Sequence, residues 1–448
     1  MKFRNLFVPL FALALAGCAA YDSQGTMDTG SMDEPPPEIG SLLYAHDVLG
    51  ARDAFAQLTQ SDGATPTDFA GLAVTEALAL PVSAEFNAIL IDHLGAVRPL
   101  TEDVLYGGDG LLYLVSLGVP WADGGDLKGI ETLLADRLPW PRQRLASPQA
   151  FVDGLSLPVD LLFDSLVDLA DGPLQRMRNA AQRATAASEP FQFLLPGAVF
   201  HDDSLELTVG PSDLAVLDAA GAAVQGAIYF FGAYSNAWTI ERAFGDAVWA
   251  SVVDDPTHEL HVAGATAADY QIAHLNEHLL RTIDTPARLG HARDAFAGGF
   301  GALATALDLS SATGTTSTLQ WDALDPDLAA DLAEVLRAFA ASLDAATPIP
   351  FFQPTLTVDL SLIFTEGRTI PADTDLIVVD TYTDAFGTQT ETVINEDAVT
   401  AATEGLFEPP LDSETGSEFI LGEDVSTAFD EVTGAYATEV DRAYSRSF

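Results

Sequence analysis

The stretch GPSDLAVLDAAGAAVQGAIYFFGAY, residues 210–234, decides what kind of protein this is. Gly210-Pro211-Ser212-Asp213 has the composition of a helix start, with proline at the first helical position and an acid in the first turn. Leu214, Leu217, Gly221, Val224, Ile228, Phe231 and Trp238 then recur at helical spacing. From Ala219 to Tyr234 the segment is apolar nearly all round, and such a helix is buried in a protein core or in a membrane. Asp218 and Gln225 interrupt it, and the uncharged run is shorter than the ~20 residues that span a bilayer. The expectation is a buried central helix with other helices packed around it.

The flanking sequence supplies those helices. Pro286 opens one whose face reads Leu289, Ala292, Phe296, Phe300, Leu303 and Leu307, with Gly298, Gly299 and Gly301 permitting close approach. Asp325-Pro326 opens another, with Leu328, Leu332, Val335, Leu336, Phe339 and Leu343 inward. Upstream, a helix is expected from Pro158 to Leu169, a break at Gly172-Pro173, and a second helix through Arg176, Arg178 and Arg183, which balance acids on a neighbouring face. Leu205, Leu207 and Val209 alternate as the second strand of a hairpin turning at His201-Asp202-Asp203. Thr355–Phe364, Asp375–Tyr382 and Gln389–Ile394 read as short strands, and a last helix is expected from Val425 to Tyr444. Residues 107–148 are irregular, and Gly107-Gly108-Asp109-Gly110 lacks the Lys and Ser/Thr of a phosphate loop. The fold class is mainly α, an irregular helical array or bundle with a small β element toward the C-terminus. A helical domain is assigned to residues 40–350 and a mixed extended and helical region to 351–448. Trp121, Trp140 and Trp238 are read as core residues that could also line a ligand cleft.

From Ile39 to about Pro99 the pattern is helical. Ala51-Arg52-Asp53-Ala54-Phe55, the polar turn Ser61-Asp62-Gly63-Ala64-Thr65-Pro66 and then Phe69-Ala70-Gly71-Leu72-Ala73 resemble the junction between consecutive tetratricopeptide repeats. The resemblance covers residues 40–99 and implies a peptide-binding groove. The plainer expectation is a helical hairpin docked on the main body.

The N-terminus carries a second signature. Lys2 and Arg4 precede a short apolar run, Leu6 to Leu15, and Leu15-Ala16-Gly17-Cys18 closes it with the small residues a signal peptidase needs. This is a lipobox: residues 1–17 read as a signal peptide and Cys18 as the site of lipidation, where two or more acyl chains give stable anchoring. Ala19 follows, and because the bacterial lipoproteins this resembles are usually held in the inner membrane by Asp at that place, outer membrane is the expected localisation. Residues 18–39, with Pro35-Pro36-Pro37, read as a flexible acidic and proline-rich tether. Cys18 is the only cysteine in 448 residues, so with it acylated disulfides, cysteine-ligated metals and thiol chemistry are excluded.

Charge narrows the function further. The chain carries 66 acidic and 19 basic residues, net −47, and loss of Lys2 and Arg4 with the signal takes it to −49. Such a surface repels nucleic acid and anionic lipid, so nucleic-acid function is excluded. With 48% apolar residues the chain is folded. Spread acidity of this kind fits adaptation to salty water, where screening relieves self-repulsion.

One segment has the residue types of a metal site. His258, His261, His274, His278 and His291 fall between Asp254 and Arg293, and His274-Leu275-Asn276-Glu277-His278 matches the H-x-x-E-H arrangement of inverted zinc peptidases. On a helix, residues 274 and 278 stand one turn apart, where both imidazoles could bind one zinc while Glu277 activates water. His258-Glu259-Leu260-His261 could add to it, and Glu334 is a candidate for the third ligand this family needs. Against this stands an ordinary amphipathic helix with Ile272, Leu275, Leu279 and Ile283 buried, the histidines at its flank, and Glu277 paired with Arg281. Asp373-Thr374-Asp375 and Asp254-Asp255 are acid pairs expected by composition.

Lipobox, tether, repeat-like hairpin and Ala/Leu-rich helices running to Val358-Asp359-Leu360 together resemble a group of uncharacterised bacterial lipoproteins, a resemblance that implies no activity. The expected function is that of a lipid-anchored cell-envelope protein, not an enzyme, that binds or scaffolds. It needs no cofactor, meets the membrane through its anchor, and has a protein or peptide partner. The alternative is a zinc-dependent hydrolase using His274, Glu277 and His278.

Overall fold

The computed structural model describes residues 36–93, 99–102, 159–186, 191–200, 206–235, 246–258, 261–310, 326–384, 387–410 and 420–421. The lipobox and most of the tether, residues 107–148, Leu205, Trp121, Trp140, Trp238, Asp325 and the helix expected at 425–444 lie outside them. The protein is mainly α, with a few small antiparallel sheets that lie mostly toward the C-terminus.

The central helix is α7, Pro211–Ala233. The Gly210 amide donates to Asp213 Oδ2 at 2.8 Å, closing the first turn. Leu217, Asp218, Ala219, Ala220, Gly221 and Ala222 are buried in succession, which is more than one full turn, as its all-round apolarity requires. It ends earlier than the spacing to Trp238 predicts: Tyr234 turns extended and caps it. By length and composition α7 could cross a membrane, as could Pro66–His93, but two-thirds of each apolar window (67%) is buried inside the protein.

Around α7 pack α5 (Val159–Leu169), α6 (Gln175–Thr185) and, most extensively, α10 (Pro286–Ser310). Small residues set that last approach: a Cβ on Gly226 would lie 2.7 Å from the Phe296 ring, and one on Gly299 would lie 3.3 Å from Ala222 Cβ. The break expected at Gly172-Pro173 is absent. The chain passes from α5 to α6 through a π turn, Ala170–Leu174, in which the Gln175 amide reaches back to the Ala170 carbonyl. Pro173 lacks the amide an α-helical turn would use, and the wider turn accommodates that loss without ending the helix.

The N-terminal part begins with α1 (Pro37–Tyr44), α2 (Val48–Leu58) and α3 (Pro66–Ala79). The tether therefore ends sooner than residue 39, because Pro37 starts a helix and Ile39 is buried. Asp47 caps α2 through the Gly50 amide, and Thr65 with Asp68 forms a capping box on α3. Phe55 of α2 presses on Gly71 of α3, where a Cβ would sit 2.4 Å from the ring. A short helix, α4 (Ala84–Ala88), and a π turn, Ile89–His93, follow. The three arginines expected to balance acids go to separate partners: Arg176 to Glu76 at 2.8 Å, Arg178 to Asp218 at 2.7 Å, and Arg183 over the Phe69 ring.

Strands β1 (Phe193–Pro196) and β2 (Glu206–Val209) pair antiparallel, with Leu195 opposite Leu207. After α8 (Asp246–Asp254), α9 (Ala267–His278) and α11 (Pro326–Ser342), the chain builds its C-terminal sheets. Strands β3 (Thr347–Ile349), β5 (Leu356–Val358) and β8 (Phe407–Glu408) form one in the order β3-β5-β8, β4 (Phe352–Gln353) pairs β9 (Ile420–Leu421), and β6 (Ile377–Asp384) pairs β7 (Gly387–Ile394). The strand expected from Thr355 to Phe364 stops at Val358, and a π turn, Ile363–Gly367, follows. A short helix, α12 (Glu396–Thr403), lies between β7 and β8.

Candidate functional site

The histidine-rich segment folds as a helix pair. α9 is started by Thr266, whose hydroxyl accepts from the Asp269 amide while the Thr266 amide donates to Asp269 Oδ2 at 2.7 Å, holding that carboxyl below its usual range. Against α9 lies α8, with Trp249 buried and stacked on Tyr270 at 5.4 Å. The Trp249 ring also reaches His274 at 6.1 Å, and the His274 and His278 rings meet edge to face at 4.7 Å.

The helix therefore presents a different face from the one the aliphatic spacing predicts. Of the four aliphatic positions Leu279 is buried as expected, but Ile272, Leu275 and Ile283 are only half-buried, whereas His274 and Asn276 are buried at 7% and 8% exposure. The reason is that both flanks are covered. Trp249 closes over His274, and Asn276 makes two 2.8 Å bonds with the backbone of Ile377, tying α9 to β6. Arg281 does not pair with Glu277. Its guanidinium donates to the carbonyls of Asn276, Ile370, Pro371 and Thr374, because α9 ends at His278, Leu279 is extended and Leu280 turns into the left-handed region (φ 57°). Glu277 projects outward with 75% of its side chain exposed, 3.8 Å from His278.

The other histidines go elsewhere. His261 is bonded through Nδ1 to the Val252 carbonyl at 3.0 Å, and His291 lies on α10 with its ring edge to Tyr229. Glu259 is outside the described residues, and Glu334 lies on α11. Among the described residues no group of three His, Cys, Asp or Glu is placed to hold a metal ion. The pair alone does not fit a zinc peptidase centre, which takes three protein ligands and a water, so no hydrolytic step follows from it.

Neither protein-family models, curated proteins nor solved structures give a match to this chain.

Two features escape the sequence reading. His93 Nε2 and Ser165 Oγ stand 2.7 Å apart, the separation of a nucleophile and its base. Ser165, however, is the seventh residue of α5, past the first-turn amides that point free of a helix and could hold an oxyanion. The contact is a hydrogen bond tying the Ile89–His93 turn to α5. The second feature is a cavity of about 520 Å³ between α11 and the corner Pro348–Phe352. Glu334 and Arg337 contribute its polar wall, and Ile349, Pro350, Phe351 and Phe352 its apolar one. Arg337 is ion-paired with Asp308 of α10, whereas exposed Glu334 has no ion pair among the described residues. Phe351 has φ 66°, a conformation costing a non-glycine residue about 1–3 kcal/mol, which surrounding structure must hold. The sequence cue was the run Pro348-Ile349-Pro350-Phe351-Phe352: Pro348 is tolerated in the edge strand β3, and Pro350 and Phe351 make the bend between β3 and β4.

Proposed function

We propose that this chain is a lipid-anchored protein of the cell envelope, held at the outer membrane through Cys18, that works by binding or scaffolding and not by turnover. The observation that carries the reading is the single cysteine of the chain placed directly after Leu15-Ala16-Gly17 at the end of an apolar run. Two further features support it. The first helix among the described residues starts at Pro37, and residues 18–36, if fully extended, would reach on the order of 60 Å and hold the body clear of the lipid. The body carries a cavity with aromatic walls and one charged wall, which suits a recognition surface.

The test is metabolic labelling with an alkynyl fatty acid in a bacterial host that expresses the full chain. Wild type is expected to take up the label and to sediment with membranes until detergent is added. Cys18→Ala is expected to remain unlabelled and to lose that detergent-sensitive attachment. An unlabelled wild-type chain in the soluble fraction would end the proposal.

A further inference from the structure

We infer that the cavity between α11 and the Pro348–Phe352 corner is the docking site for a basic peptide segment of a partner protein, one carrying arginine or lysine beside an aromatic or proline residue. This deepens the binding half of the function proposed above and rests on it.

Charge chooses the sign of the ligand. Two side chains of opposite sign line the cavity, but the Arg337 guanidinium is committed to Asp308. Glu334 is exposed, has no ion pair among the described residues, and is left as the wall's uncompensated charge. The chain as a whole carries net charge −47, a field that concentrates cations at its surface and speeds their encounter. An anionic ligand would have to overcome that field, and neither an anion nor a neutral ligand would bring Glu334 a cationic partner.

The apolar wall chooses the rest. Pro350, Phe351 and Phe352 give a rigid floor of rings with few backbone donors, the kind of surface that takes aromatic or proline side chains of an extended peptide. Phe351 is held in place by two groups of buried side chains: it packs against the cluster of Ala304, Leu307, Ala329, Leu332 and Ala333 and against that of Val335, Ile349, Leu356 and Val358. That packing holds a left-handed phenylalanine at the cavity wall. A volume of about 520 Å³ falls within the range of small-ligand sites and suits one or two anchoring side chains better than a folded surface.

The experiment measures binding of a fluorescein-labelled octapeptide of alternating arginine and phenylalanine to the full chain in detergent at 150 mM salt. Its companions are an alternating glutamate-phenylalanine octapeptide and the variants Glu334→Gln, Phe351→Gly and Asp62→Asn. Saturable binding of the basic peptide is expected, weakened about tenfold by Glu334→Gln, the scale of one lost charge-assisted contact, and at least as much by Phe351→Gly. Asp62, an exposed carboxylate in the turn between α2 and α3, controls for bulk charge, and its variant is expected to bind within twofold of wild type. Equal loss in Glu334→Gln and Asp62→Asn would overturn the proposal in favour of undirected attraction to a polyanion. So would equal binding of the acidic peptide, or no saturable binding. A dimer dispersed by Phe351→Gly, with no peptide bound, would overturn it by giving the cavity to a second copy of this chain. Each of these failures is read separately from fatty-acid labelling of Cys18.

Discussion

Arg178 places a guanidinium inside a helical core at 6% exposure. Its Nε donates to Asp218 at 2.7 Å, its Nη1 donates to Gln225 Oε1 at 2.5 Å, and Gln225 passes the chain on to the Ala170 carbonyl of the π turn. One side chain thus joins α6, α7 and the turn where α5 gives way to α6. Burial pushes the Asp218 carboxyl above its ordinary range and Arg178 opposes that rise. Arg178→Met keeps the apolar stem and removes the charge, leaving Asp218 buried without a cation, and at neutral pH this is expected to cost about 3–5 kcal/mol. The sign of the pH dependence follows from linkage. Without Arg178 the folded carboxyl titrates even higher, so the penalty is complete above that folded value and vanishes below the unfolded one, where both states bind the proton. Urea unfolding of wild type and variant from pH 7 down to pH 4 should therefore show the gap narrowing with acid. A gap that stays constant or widens would mean that Arg178 acts by packing alone.

Packing is sharply set where α7 meets α10. Gly226 lies under the Phe296 ring, and a side chain there must push the ring or the helix aside. Gly226→Val is expected to lower stability by about 1–3 kcal/mol, the ordinary cost of overpacking, and to lower the melting temperature, whereas Gly290→Ala on the same helix pair, with nothing near its Cβ, should not. If both variants melt alike, the close approach is not a constraint. Most of these helices were legible in the sequence, because their apolar positions recur at 3.6 residues and proline marks the starts at Pro66, Pro211, Pro286 and Pro326. The two errors within helices have a common cause. Continuity through Pro173 depends on a π turn and the Ala170 carbonyl, and burial of His274 depends on Trp249 arriving from another helix. Neither partner is visible in the local pattern. The same limit applies to the candidate site: the H-x-x-E-H spacing correctly puts two imidazoles on one turn, but a third ligand and the Phe351 cavity depend on residues distant in sequence.

At the scale of the whole molecule, 66 acids face 19 bases. Even if every lysine and arginine paired with one carboxylate, 47 acids would remain uncompensated, and arginines such as Arg281 are bound to carbonyls and neutralise none. The folded body therefore carries a repulsion that the more extended unfolded chain partly escapes. Ions relieve it within the Debye length, which falls from about 10 Å at 0.1 M to about 3 Å at 1 M. Screening weakens exposed attractive pairs such as Arg293 with Asp294 as well, but these are few against the excess of like charge, and each contributes at most about 1 kcal/mol. Repulsion should win, so the melting temperature is expected to rise steadily between 0.05 and 1 M potassium chloride. Chloride is the right counter-ion for this measurement, because sulfate would strengthen apolar burial as well and confuse the two effects. A melting temperature that is flat or falling over that range would show that the acids are spaced widely enough for water alone to carry them, and adaptation to a saline surrounding would then lose its physical basis.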